Sequence, residues 1–554
     1  MPSLWGSKND EERPPRDEGE PAHESRQSEG REPDERTRLL SNRQEGGHYL
    51  DPDDPAVRRP HQSFSTHQTG LTDNLQVTPY NLWTVRALRY LAVLFLFVTF
   101  LWWVLLLVSI FVSPPTMHSR GSGFFDFSYT TLSLGNLLVG ILFFAVPSKP
   151  MEVGSLILAV LLLVNMIVIL AVSRVRLEEG WVGITSVVWA TLMAFYNVVT
   201  DRVVAWGKRE EEERLTGRKE SRRSLREWCA VFLATAIMVI LIIVSVLLTA
   251  TLILRARDAG VGPPGKRYYV DGNKYELHLA CVGNVTFDEY GKRTPTVLLE
   301  GGGQPVEWNY ESWVHDAYKN GTIDRYCYYD RPGFAFSDNA PSPHSAGMTS
   351  DALSETLVEA GEEGPWVLAA AGIGGIYSRI FSSRHKKEIA GILLIDALHE
   401  DLLHKVGNPT RGFLLWARGI ISPLGWDRLS GAIANGRTPE DRVYGRSAYQ
   451  GGKYLKSRLQ ENLVADSLTK NEVSQARNIQ DADTPLVVVS SGMHVRKDSE
   501  WERKQRDLTN VTTNLISWDV VKNARHEVWL SMEGRTVLEK RLGELVRPKR
   551  PGLA

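Results

Sequence analysis

Apolar and polar positions divide this chain into three regimes. Residues 1–79 show almost no aliphatic periodicity and are dominated by Arg, Glu, Asp, Pro, Ser and Gly. Such a segment buries too little apolar surface to offset chain entropy, so disorder is expected. Five uncharged apolar runs follow, at 91–112, 127–146, 153–172, 181–199 and 229–254. Each approaches or exceeds the roughly twenty residues a helix needs to cross a bilayer core, which predicts a five-helix transmembrane region over 80–257. From 265 to 548 short apolar runs alternate with helical segments, the pattern of a mostly parallel sheet covered on both faces.

Within that last region, 268–270 and 274–281 read as a hairpin turning at Asp271-Gly272. Further strands are predicted at 296–299, 325–329, 367–371, 389–395, 485–490 and 514–518, with helices at 350–360, 375–382, 499–508 and 528–546. The interval 400–483, which holds Trp416, Trp426 and Tyr444, reads as a helical cap inserted over the strand ends.

Charge refines this picture. The 554 residues carry a formal net charge of -1, which offers no case for a nucleic-acid partner. The tail has no apolar segment of signal-peptide type, so the first membrane helix is expected to direct insertion. Nine Lys or Arg fall in 201–226, whereas the opposite loops hold chiefly Arg120, Arg174, Arg176, Arg255 and Arg257. The positive-inside bias then places the tail in the cytosol and the C-terminal domain in a lumen or outside the cell. The sequons at Asn284, Asn320 and Asn510 all lie in that domain, as glycosylation would require. In the tail, Glu35 with Leu39 and Leu40 matches an acidic dileucine sorting signal, consistent with vacuolar or endosomal delivery. The lipid bilayer is the implied partner. No run carries an ionisable residue, which argues against a proton or ion pathway.

The stretch WVLAAAGIGGIYSRIF has the strand-turn-helix pattern that elsewhere lifts a nucleophile into a pocket. Together with LHLACVG, LLEGGGQP, CYYDRPGFAFSD and GILLIDALHED, in this order, it resembles the α/β-hydrolase fold of the esterase and lipase type. The whole chain is similar to uncharacterised fungal integral membrane proteins. The resemblance maps the Gly-x-Ser-x-Gly elbow onto Ala370, Ala371, Gly372, Ile373 and Gly374, so the nucleophile position is Gly372. It implies a base at His526, which reads equally as a surface or capping histidine. It implies an acid at Asp396, which reads also as a loop-holding carboxylate. Backbone N–H groups of Gly302 and Ile373 would form an oxyanion hole. Neighbouring strands would pair Cys281 with Cys327 as a disulfide, the alternative being two separate thiols. Asp330 is expected to pin a turn.

No His/Cys cluster shows metal-ligand spacing, and GIGG lacks the third glycine of a dinucleotide loop, so neither metal nor cofactor is expected. Three functions follow. The first is a non-catalytic homologue binding a small apolar or acyl ligand, or a protein partner. The second is an active membrane hydrolase using His526 and Asp396 with another attacking group, Ser378 or water. The third is a transporter or receptor acting through the spans.

Overall fold

The computed structural model describes residues 82–217 and 223–547. The expected disorder of 1–79 and the sorting residues Glu35, Leu39 and Leu40 lie outside the described residues. Five helices come first: α1 (Trp83–Phe111), α2 (Phe124–Leu142), α3 (Lys149–Ala171), α4 (Ser173–Thr216) and α5 (Leu225–Asp258). Four of them, all but α2, are long and apolar enough to cross a membrane. The five expected spans therefore correspond to five helices, of which four qualify by length and composition.

The exception has a physical reason. Over 19 residues α2 carries Asp126, Ser128, Thr130, Thr131, Ser133 and Asn136, and it packs against α1, α4 and α5. Its hydroxyls fold back on the helix, Thr130 Oγ1 donating to Asp126 O at 2.9 Å, while Asn197 Nδ2 of α4 donates to Asn136 O at 3.0 Å. An interior helix can be this polar because neighbouring helices rather than lipid receive its side chains. α4 is likewise interior: 56% of its apolar window is buried, against 17% for α1. α4 also breaks at Gly180 (φ 62°, ψ −164°), a conformation essentially confined to glycine, which sets its first turns apart from the long helix. α5 starts with a capping box, in which Ser224 and Glu227 each accept the other's backbone N–H.

The C-terminal domain is an eight-stranded sheet: β1 (Lys266–Val270), β2 (Tyr275–Gly283), β3 (Thr296–Glu300), β4 (Arg325–Tyr329), β5 (Trp366–Ala371), β6 (Ile389–Ile395), β7 (Leu486–Ser491) and β8 (Leu515–Val521). Its spatial order is β1-β2-β4-β3-β5-β6-β7-β8. β2 runs antiparallel to both β1 and β4, and the other pairs are parallel. Alternate strand residues serve opposite faces. Val297, Leu299, Val367 and Leu393 pack under α6 (Tyr310–Lys319) and the last helix of the fold (Met532–Val546). Leu298 and Leu368 pack under α7 (Ala346–Ala360) and Phe381 of α8 (Gly374–Arg384).

The cap holds α9 (Leu403–Val406), α10 (Pro409–Ile421), α11 (Trp426–Ala434), α12 (Pro439–Val443), α13 (Gly452–Val464) and α14 (Lys470–Ile479). After β7 come α15 (Gly492–Lys497) and α16 (Ser499–Leu508), and Met532–Val546 is α17. The cap is wedged between sheet and bundle. On the sheet side, α13 donates from Tyr454 to Gly303 O (2.6 Å), from Ser457 to Pro332 O (2.6 Å) and from Gln460 to Ala340 O (2.8 Å). On the bundle side, Trp416 of α10 meets Phe111. Gly419 approaches the Phe124 ring so closely that a Cβ there would lie 2.2 Å from a ring carbon.

Candidate functional site

β5 is buried along its whole length and leads into Gly372, whose φ of +53° is costly for a residue with a side chain. The apex is tied down by its own backbone. Gly372 N–H donates to Ile395 O (3.1 Å), and its carbonyl accepts from Leu398 (2.8 Å) and Gly375 (3.2 Å). A Cβ at this position would lie 3.0 Å from His526 Nε2 and 3.8 Å from Gly302 Cα. The imidazole thus closes on the space a nucleophile's side chain would use.

His526 lies between β8 and α17, and its Nδ1 is 2.7 Å from Asp396 Oδ2. Asp396 follows β6 at φ +41° with its side chain fully buried. Its Oδ1 accepts from Ser491 N–H (3.0 Å) and from Trp501 Nε1–H (2.9 Å). Its Oδ2 receives a second imidazole as well, His494 Nδ1 at 3.0 Å. Asp396 therefore ties the β7 and α16 segments together and also meets the His526 imidazole. Burial alone would raise its pKa, but hydrogen bonds from His494 and His526 prevail and hold it at about 2. The same bond raises the pKa of His494. An ionised Asp396 only accepts, so both Nδ1 atoms face it as donors, and the opposite edge of His526, Nε2, is turned toward Gly372.

The loop after β3 lies alongside. Arg331 donates to Gly301 O (2.7 Å) and to Gly302 O, and Tyr454 to Gly303 O, so the loop is held by its carbonyls. The N–H groups of Gly302 and Ile373 donate to no described residue. Arg331 is buried beside Glu300 and Glu461. Glu300, also buried, is pushed up to about 7 by desolvation despite opposing hydrogen bonds and charge.

Ser378 is buried, with Oγ on Gly375 O at 3.3 Å, and makes no contact with the dyad. Asp330 accepts from His278 Nδ1 (2.8 Å) and Phe336 N–H (3.2 Å), closing the DRPG turn. Cys281 and Cys327 are register partners of β2 and β4 and are disulfide-bonded. Asn284, Asn320 and Asn510 are all exposed.

His494 was not anticipated. It lies 98 residues from Asp396, and nothing local in SGMHVRK distinguishes it. Asp396, His494 and His526 also bring ligand atoms within 4.8 Å of one another, a donor set suited to a metal ion that no local spacing could reveal. At 2.7 and 3.0 Å both Nδ1 atoms meet Oδ2 at hydrogen-bond lengths.

Residues 35–281 match a family described as a region of unknown function, DUF2417. An uncharacterized protein of Schizosaccharomyces pombe is 34% identical over 505 residues, covering 86% of this chain and 93% of its own length. An uncharacterized vacuolar membrane protein of Saccharomyces cerevisiae is 27% identical over 388 residues, 59% of this chain and 60% of the yeast protein. Among solved structures, an alpha/beta hydrolase enzyme from a Medee basin deep-sea metagenome library aligns with 52% of this chain and 99% of its own, at 11% identity and a TM-score of 0.39. A probable hydrolytic enzyme of Pseudomonas aeruginosa aligns with 51% and 96%, at 13% identity and a TM-score of 0.38. Strand order assigns the fold: this order, with a strand-turn-helix elbow after β5, is that of an α/β-hydrolase. The chain is a membrane protein with a hydrolase-like fold, homologous to a vacuolar membrane protein.

Proposed function

We propose, from the premise that this chain belongs to the same family as the Schizosaccharomyces pombe protein, that its hydrolase-fold domain does not cleave esters by a serine route and instead binds a small apolar or acyl ligand over the elbow. One observation carries this reading: the apex residue is Gly372, and His526 Nε2 lies 3.0 Å from where its Cβ would be. Acyl transfer needs an attacking oxygen or sulfur within reach of a base, and glycine offers neither. Two unengaged N–H groups, at Gly302 and Ile373, supply donors for the carbonyl or carboxylate of a bound ligand.

On the same reading the domain is a lumenal pseudoenzyme, glycosylated at Asn284, Asn320 and Asn510, in a vacuolar or endosomal membrane with its N-terminus in the cytosol. A disulfide at Cys281–Cys327 suits an oxidising lumen, the sequons are exposed, and one relative is a vacuolar membrane protein.

The test uses the full-length protein in detergent with a fluorophosphonate probe and an active serine hydrolase as control. No labelling is expected. Labelling that disappears on replacement of a single serine would overturn the proposal. A second reading keeps hydrolysis, because the Asp396–His526 dyad persists at 2.7 Å: Nε2 would deprotonate a water that attacks a carbonyl held by the two N–H groups. It requires slow ester hydrolysis that vanishes in His526→Ala, and no turnover above buffer removes it.

A further inference from the structure

A second site lies where one end of the helix bundle meets the cap. There a partly open cavity of about 110 Å³ is lined by the start of α2, the first turns of α4, the end of α5, β1 and the cap helices α11 to α13. Six cations line it: Arg174, Arg255, Arg267, Arg428, Arg442 and Lys453. Only two lining residues, Glu178 and Asp258, are acidic.

Both carboxylates are oversubscribed. Glu178 receives Arg174 (3.3 Å), Arg255 (2.9 Å) and Lys453 (3.4 Å). Asp258 receives Arg442 (2.6 Å) and Arg428 (2.5 Å). Behind the wall, Glu276 and Asp338 also pair with Arg174, and Glu179 with Arg255. With those three included, six cations still face five carboxylates. Arg267 is the group left over: its Nε donates to Phe336 O (2.8 Å), and it forms no ion pair among the described residues. Excess buried positive charge is costly unless an anion joins it. Burial accordingly lowers the pKa of Lys453, Arg428 and Arg267.

We propose that this cavity binds a phosphate-bearing anion. Several guanidinium forks converging on one volume match the tetrahedral array of phosphate oxygens better than a single planar carboxylate. The position suits a lipid phosphate. Arg255 lies in the last turn of α5, where a span leaves the hydrocarbon. The adjoining cap helices present Phe413, Leu414, Ile421, Trp426 and Ile433, all more than half exposed, on amphipathic α10 and α11. Such helices rest in the headgroup region. A soluble phosphate ester would satisfy the same cations, so the source is decided by experiment.

Delipidated full-length protein is titrated in detergent with inorganic phosphate, with phosphatidic acid in mixed micelles, and with phosphatidylcholine as the zwitterionic control. Binding of phosphate as well as phosphatidic acid assigns a soluble ester, and binding of phosphatidic acid alone assigns a lipid. In either case Arg267→Gln, which strips no carboxylate of its partner, weakens binding at least tenfold. Lys453→Gln does the same where its melting temperature shows it folded, and Arg267→Gln decides otherwise. No binding of either probe, equal binding of phosphatidylcholine, or unchanged affinity in Arg267→Gln overturns the proposal.

Discussion

Two carboxylate hubs organise this protein, and they solve opposite problems. At Asp396 a single buried charge receives four donors, two on each oxygen, and two of those donors are imidazoles whose outer edges are about 40% exposed. That hub is saturated. At Glu178 and Asp258 the donors are four arginines and a lysine, each carboxylate serves more than one, and charge remains uncompensated. That hub is short of an anion. The difference shows that a hydrolase scaffold can keep the orientation machinery of its strand-end site while its strongest electrostatic demand arises where the cap meets the membrane helices.

Experiments can break each hub in turn. The largest effect is expected from Asp258→Asn, which leaves Arg428 and Arg442 buried without a counter-charge and costs about 3–5 kcal/mol by thermal unfolding of the purified protein. A loss below about 1 kcal/mol would show the seam to be more solvated than the comparison holds.

Acid titration of the other hub follows. Asp396 is depressed from 3.8 to about 2, so its stabilisation is complete above pH ~4 and is lost as pH falls through about 2. The shift corresponds to about 2 kcal/mol. Asp396→Asn should abolish that acid-side component. It should also remove the contribution linked to His494, whose raised pKa makes it stabilising at low pH and lost as pH rises through the folded value. The smallest effect is expected from Gly372→Ser. Its positive φ costs about 1 kcal/mol where His526, 42% exposed, moves aside to admit the side chain. Fluorophosphonate labelling gained by that variant would show that the elbow retains catalytic alignment.

Much of the fold was legible in local pattern. The short, mostly apolar runs at β3, β5, β6 and β7 announced buried parallel strands, and the GGG and DRPG loops marked the ends of β3 and β4. α6 was not among the predicted helices, although Tyr310, Trp313, Val314 and Ala317 recur at helical spacing and are buried. At the site, Gly372 was singled out by the elbow pattern, and His526 and Asp396 by the resemblance to α/β-hydrolases. His494, Trp501 and the cation seam were not, since each depends on contacts between segments tens to hundreds of residues apart.

By itself the sequence determined which stretches are apolar enough for membrane helices, the alternation that builds the sheet, and the absence of an attacking atom at 372. These are properties of neighbouring residues along the chain. Tertiary structure alone decided that α2 is an interior helix, that one carboxylate holds two imidazoles, and that six cations line a common cavity. Burial and charge balance depend on what the fold brings together, and electrostatic energy grows steeply once water is removed.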